Sequence, residues 1–235
     1  MSSTASYQIF CLGDTALVVD FGNRIDEDLN RRVIQNCKQL KTAAIPGTIE
    51  IVPAYSSITL YYDPVAITKS VPGGTTIQAW IKEKLETALQ QELDITSAEE
   101  RQIRIPVCYG EGFAPDLALL AAQRNLSPEE VIRIHSNHTY RVYMLGFLPG
   151  FTYMGKVDEA IAIARKPQPV PVQAGSVGIA GRQTGIYPLA SPGGWYIIGR
   201  TPIKLFDGSR ENPVLLEPGD SVEFFSISKD EFTDY

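Results

Sequence analysis

The chain has 235 residues, 44% of them hydrophobic and 20% charged, enough apolar material for one large domain or two small ones. A net charge of −6, with no basic cluster interleaved with aromatic residues, argues against nucleic-acid binding. No run approaches the roughly 18 apolar residues of a membrane span, and Met1 to Gln8 lacks the basic and apolar regions of a signal peptide. Cys11, Cys37 and Cys108 are scattered and odd in number, which fits reduced thiols in a cytoplasmic protein.

Taken in order, Tyr7 to Leu12 and Thr15 to Phe21 are β-rich runs around Gly13-Asp14, a hairpin signal. Asp26 to Leu40 places Leu29, Val33, Cys37 and Leu40 at helical spacing behind an acidic start. Gly47 to Val52 and Ser57 to Tyr62 read as strands. Thr76 to Gln91 reads as a second helix, with Thr75 and Gln78 resembling a capping box. These elements predict a small α/β unit over 1–97, and the polar Asp94 to Arg101 a linker.

From residue 98 the pattern changes. Arg101 to Tyr109 reads as a strand, followed by helices over Pro115 to Arg124 and from Ser127 to about His135. Ser127-Pro-Glu-Glu130 is a helix start with N-cap, N1 and N3 residues in place. Seven short strands follow: Arg141 to Phe147, Ser176 to Ala180, Gly185 to Leu189, Trp195 to Gly199, Ile203 to Phe206, Val214 to Leu216 and Ser221 to Ile227. Residues 146–219 hold 12 of the 19 glycines and 9 of the 16 prolines. Short strands broken by such turns predict a closed or nearly closed β-barrel over 98–235. The fold class expected is therefore α+β.

The stretch Pro167 to Gly199 carries a single charged side chain, Arg182. Turns normally lie in water, so a turn region this poor in charge is expected to be covered, by its own fold, a ligand or another chain. Its aromatics Tyr187, Trp195 and Tyr196 are of the types enriched at interface cores, and a partner-covered or ligand-covered face is the expectation carried forward.

Three motifs compete for function. Gly150-Phe-Thr-Tyr-Met-Gly-Lys156 matches a phosphate-cradling loop except at Val157, where a hydroxyl should meet Mg²⁺; its other reading is an aromatic turn packed on the barrel. Ala174-Gly-Ser176-Val-Gly178 is one residue short of a nucleophile elbow, with His135 and His138 the only bases of that type. No CxxC or HExxH pattern points to a metal. Arg141, Arg182 and Arg200 sit in apolar or glycine-rich surroundings and call for planar anionic partners, from within the chain or from a ligand. Gln183, Thr184, Tyr187, Ser191 and Thr201 add neutral hydrogen-bonding groups nearby.

Tyr140-Arg-Val-Tyr-Met-Leu-Gly-Phe147, Ala174 to Gly181, Gln183-Thr-Gly-Ile-Tyr-Pro188, Ser191-Pro-Gly-Gly-Trp195 and Ile198-Gly-Arg-Thr-Pro202 together resemble the allophanate hydrolase subunit 1 (KipI) family, nearest to its group of 5-oxoprolinase B subunits. The sequence departs from the family pattern at Gly110-Glu-Gly-Phe-Ala-Pro-Asp-Leu117 and at Tyr196. The resemblance implies that the barrel is cyclophilin-like. It implies a subunit that works with two others, of A and C types, in cleaving 5-oxoproline to glutamate at the expense of ATP. Mg²⁺ and ATP would then belong to the complex, with none assigned to this chain. Other members imply a rival role as a histidine-kinase inhibitor, and the family label a role in allophanate or urea carboxylase chemistry. The residues carried forward as substrate- or partner-binding are Arg141, Arg182, Gln183, Thr184, Tyr187, Arg200 and Thr201, with no acid or base assigned.

Overall fold

A computed structural model describes residues 7–90 and 100–235. The chain is α+β and divides into two compact units, 1–99 and 100–235. The expected linker Asp94 to Arg101 lies, up to residue 99, outside the described residues.

The first unit begins with a hairpin, β1 (Gln8–Cys11) and β2 (Ala16–Asp20). Helix α1 (Glu27–Thr42) starts where Asp26 accepts a hydrogen bond from the Leu29 amide at 2.9 Å. Strands β3 (Thr48–Pro53) and β4 (Ser57–Tyr62) follow, then a four-residue helix α2 (Pro64–Ile67), then α3 (Ile77–Gln90). The order β1-β2-β4-β3 is antiparallel throughout. Leu29, Val33 and Leu40 of α1 and Ile81 and Leu85 of α3 bury themselves against Leu17, Ile58 and Leu60 of the sheet. Full burial of one such side chain is worth about 1.5–3 kcal/mol.

Two sequence expectations need correction here. Thr76, not Thr75, receives the Ala79 amide at 3.2 Å, one residue inside the expected cap. Helix α2 was not expected; Asp63 caps it by accepting from the Val65 and Ala66 amides.

The second unit opens with β5 (Gln102–Cys108), α4 (Leu117–Arg124) and α5 (Pro128–Ser136). The capping box of α5 forms in full: Ser127 Oγ accepts from the Glu130 amide at 3.1 Å and Glu130 accepts from the Ser127 amide at 2.7 Å. Then come β6 (Thr139–Leu145), β7 (Thr152–Gly155), β8 (Val170–Val172), β9 (Ser176–Ala180), β10 (Gln183–Ile186), β11 (Ser191–Gly193), β12 (Tyr196–Arg200) and β13 (Ser221–Ile227). Seven of these close a barrel in the order β10-β7-β6-β13-β5-β12-β9, while β8 and β11 form a separate two-stranded ribbon. The closed barrel fits the cyclophilin-like expectation.

Ile203 to Phe206 and Val214 to Leu216 are not strands. They meet only at one isolated bridge, Phe206 with Val214, and Leu205 and Leu216 turn into the barrel core. Strands β7, β8 and β11 were not expected. Inward residues of the barrel include Val107, Val142, Met154, Ile179, Ile186 and Ile198, all fully buried. Among the described residues no helix is long and apolar enough to cross a membrane.

Because 100–235 has its own core, a fragment starting near residue 100 is expected to unfold cooperatively by itself. A featureless calorimetric trace from that fragment, beside a sharp one from the full chain, would contradict this.

Candidate functional site

The seven residues marked in the sequence do not converge on one site. Gly155 of β7 pairs with Arg141 on one side and Gln183 on the other, so these two share one level of the barrel with Arg182 beside them. Tyr187, Arg200 and Thr201 lie at the opposite end, about 13 Å away along β10 at ~3.3 Å per residue. There the backbone of Gly175 ties them together: its amide donates to the Tyr187 carbonyl at 2.7 Å and its carbonyl accepts from the Thr201 amide at 2.9 Å. Thr184 points into the barrel between the two ends and is fully buried.

Each of the three arginines has an internal partner. Arg141, only 7% exposed, donates to Glu100 at 2.7 Å and to the Gly219 carbonyl at 3.4 Å. Arg182 is exposed and pairs with Glu159 at 2.8 Å. Arg200 donates to the Ala174 carbonyl at 2.9 Å and to Gln173 Oε1 at 2.7 Å, and its guanidinium lies over the Phe232 ring. The structure thus supplies intrachain acceptors for all three.

Neither catalytic motif has the geometry it needs. Residues 152–155 of the suspected phosphate loop form β7, whose backbone is spent on β6 and β10. The segment is therefore neither a phosphate cradle nor a simple aromatic turn. Ser176 begins β9 rather than standing on a strand-to-helix elbow, and His135 is committed elsewhere.

His135 is the centre of a closed polar chain inside the barrel. Thr184 Oγ1 donates to the Gly178 carbonyl at 3.1 Å, so it accepts from His135 Nε2 at 2.9 Å. His135 Nδ1 then accepts from the Tyr109 hydroxyl at 3.0 Å. This assignment of the tautomer follows from the network. The Tyr140 hydroxyl donates to the His135 carbonyl at 3.0 Å, and Phe224 stacks on the ring at 4.7 Å. Burial, with a smaller contribution from the charge on His138, lowers the His135 pKa to about 3. Burial likewise pushes the Tyr109 and Tyr140 hydroxyls up. All members are neutral and mutually satisfied, which suits a network that fixes barrel geometry.

A second, smaller core lies on the outer wall of β7, β9 and β10. Phe151, Tyr187, Trp195, Val172 and Ile197 pack there in mostly edge-to-face contacts, with Phe151 to Tyr187 at 5.0 Å and Phe151 to Trp195 at 5.5 Å. Gly185 leaves room for the Trp195 ring, and Gly178 for the Trp195 Cβ and the Ile197 side chain. The aromatic side chains of the charge-poor stretch are therefore covered by its own fold, while Pro167 to Pro171 and Leu189-Ala190 stay exposed. Tyr187, Trp195 and Tyr196 are 1%, 5% and 9% exposed in the chain alone, which corrects the expectation that they form an open partner face.

What stays open at the margin of this core is a different set. Phe147 is 61% exposed and stands on a left-handed backbone, φ +69°. A bulky residue there carries roughly 1–3 kcal/mol of strain. Its ring meets Phe151 at 5.5 Å and Tyr187 at 6.4 Å. Arg165 is also exposed. Its guanidinium lies along Gly194, with Nε and Nη2 3.6 and 3.7 Å from where a Cβ would stand. Its charge pulls against the burial that raises the Tyr153 and Tyr187 hydroxyls. Sequence reasoning missed both residues. Phe147 stands in a quoted motif, but its backbone angle is invisible in a sequence; Arg165 falls two residues before the charge-free stretch.

In the first unit a cleft of about 590 Å³ opens beside Leu40, Lys41, Ile45, Gly47, Ile49 and Ile51. It gathers none of the marked residues. Among the described residues no group of three metal-ligating side chains occurs.

Comparison with known proteins places these features. Residues 7–216 match the family model of the carboxyltransferase domain, subdomain C and D. A 5-oxoprolinase B subunit from Bacillus subtilis is 44% identical over 234 residues, covering 99% of this chain and 98% of that protein. One from Escherichia coli O157:H7 is 38% identical over 92% of this chain and 94% of its own length. The crystal structure of TTHA0988 superposes with a TM-score of 0.76 at 36% identity over 92% of this chain, which spans 40% of that longer polypeptide. With matches this long and a barrel of this topology, the chain belongs to the carboxyltransferase subdomain C and D family, alongside the 5-oxoprolinase B subunits.

Proposed function

We propose that the chain is the B-type subunit of an ATP-dependent 5-oxoprolinase that opens 5-oxo-L-proline to L-glutamate with subunits of A and C types. The observation that carries this reading is the 44% identity to a 5-oxoprolinase B subunit across nearly the full length of both chains.

The chemistry explains why one chain is not enough. A lactam carbonyl is a poor electrophile, and phosphorylating its oxygen makes attack by water feasible. That step needs a phosphate cradle, preorganised donors at the developing oxyanion and a placed water. In this chain the one phosphate-loop candidate is a barrel strand, and the buried histidine is held neutral in a saturated network. ATP and Mg²⁺ are accordingly assigned to the complex, and phosphoryl transfer to a partner subunit. Arg182 and Gln183 at one barrel end and Arg200 at the other remain partly open to solvent. They keep a place in the proposal as groups meeting substrate or partner. Arg141, Thr184, Tyr187 and Thr201 are buried and act through the barrel's shape.

The test is co-expression with the two other subunits and an assay for glutamate and ADP formed from 5-oxoproline and ATP. Turnover is expected from the three together and none from this chain alone. Turnover by the purified chain alone, or by the other two without it, would overturn the reading.

A further inference from the structure

Strand β13 ends at Ile227 beside Cys108, and Arg200 of β12 pairs with that same Cys108. From there the chain folds back towards Arg200, in a turn made by its own residues. The Ser228 amide donates to Glu231 at 2.7 Å, the Glu231 amide to Ser228 Oγ at 3.2 Å, and the Phe232 amide to the Ser228 carbonyl at 3.2 Å. A single helical turn over Glu231–Thr233 completes the segment. Among the described residues, every hydrogen bond made by 229–235 stays within 228–235.

One side chain fastens this segment to the barrel. The Phe232 ring meets the Phe113 ring at 4.6 Å, and the Arg200 guanidinium lies over it at 5.7 Å. Neither Phe113 nor Phe232 belongs to the barrel core or packs against it. The Phe232 ring is half-buried, while Glu231, Thr233, Asp234 and Tyr235 around it are exposed. An aromatic pair and a partly hydrated cation–π contact together favour a closed form over an open one by only roughly ten- to fiftyfold. Barrel strands part far more rarely, because they open with the whole unit. The segment therefore lifts while the barrel stays shut.

Arg200 gives that movement a consequence. Its Nε and Nη1 donate to neutral acceptors, the Ala174 carbonyl and Gln173 Oε1, and among the described residues it has no carboxylate partner. These two bonds hold the guanidinium in place when the ring leaves. An arginine with uncompensated charge is what planar anions bind.

We propose that residues 228–235 form a strap that opens and closes over Arg200, latched by Phe232 against Phe113, so that access to the guanidinium is set by the position of one ring. The strap adds a control to a group that the proposed function uses, and its test needs no other subunit.

The test compares full-length wild type, Phe232→Ala and Phe232→Tyr. Phenylglyoxal, which modifies accessible guanidinium groups, is the probe. Its rate at Arg200 is read by peptide mass spectrometry against Arg182, which is exposed in the same molecule. Amide exchange over 229–234 is followed in parallel. Phe232→Ala is expected to speed both at least about fivefold and to keep its thermal midpoint within a few degrees. Phe232→Tyr keeps a ring and is expected to stay within about twofold of wild type. An unchanged rate at Arg200 in Phe232→Ala overturns the proposal, because the ring is then not its cover. Wild-type exchange in 229–234 as slow as in β13 overturns it too, because the strap then does not open. A sharply lowered midpoint in Phe232→Ala, with faster exchange throughout β5 and β13, makes Phe232 a part of the barrel's structure instead of a latch.

Discussion

Lowering the pH from 7 to 4 is expected to remove about 3 kcal/mol of stability from the barrel through His135 alone. In the folded chain its pKa falls from 6.5 to about 3, because burial disfavours the imidazolium. The unfolded chain takes up the proton below pH 6.5 and the folded chain does not until near pH 3. The contribution is therefore complete above 6.5 and drains away as the pH drops towards 3. Protonation would also force Nδ1, now an acceptor for Tyr109, to become a donor facing a donor. Carboxylates titrate in the same acid range, so their share must be separated. His135→Gln lacks the titration, and its stability should fall less steeply than that of wild type, by about one proton's worth per molecule between pH 6 and 4. NMR of the His135 ring nitrogens gives a second reading: Nε2 should stay protonated and Nδ1 bare at pH 4.5. A His135 that titrates near 6.5 would sink the argument.

Tyr187→Ala and Trp195→Ala are each expected to cost about 3–5 kcal/mol, the range for emptying a buried aromatic site. Both side chains are nearly inaccessible and touch each other and Phe151 across the outer barrel wall. Urea denaturation of the purified chain checks this directly. Losses under about 1 kcal/mol in both variants would mean that these rings sit on an open surface, as the charge-free sequence first suggested. Arg182→Ala, which breaks an exposed pair with Glu159, is a suitable baseline at less than about 1 kcal/mol.

Much of the fold was legible because its signals are local. The stripe Leu29, Val33, Cys37 and Leu40 is buried as its spacing implied, and the Ser127 to Glu130 capping box forms as its residue types require. Strand β7 escaped notice for the opposite reason. Gly150, Gly155 and Lys156, in and beside it, imitate a loop motif, although Thr152 and Met154 face inward and Tyr153 outward in plain alternation. The candidate site was the least legible part. Arg141 finds its carboxylate 41 residues upstream, and no local pattern reveals such a partner. The neutral stretch told correctly that something covers it. Which side does the covering depends on the ribbon β8 with β11, whose three-residue strands are too short to announce themselves.

The barrel is closed by a parallel pair, β5 with β13, aligned from Gln102 with Ser221 to Cys108 with Ile227. The first strand of the unit thus waits for residues more than a hundred positions later to be synthesised. During translation β5 presents a bare strand edge throughout, and no amount of local order in between can cover it. Pairing across so long an intervening chain makes folding slow. An unpaired apolar edge of this kind recruits other chains meanwhile. A stop codon ahead of Ser221 would accordingly not trim the protein; it would leave β5 and β6 permanently open and turn a foldable product into an aggregate. Slow translation through 206–220 lengthens the time for which β5 stays without its parallel neighbour.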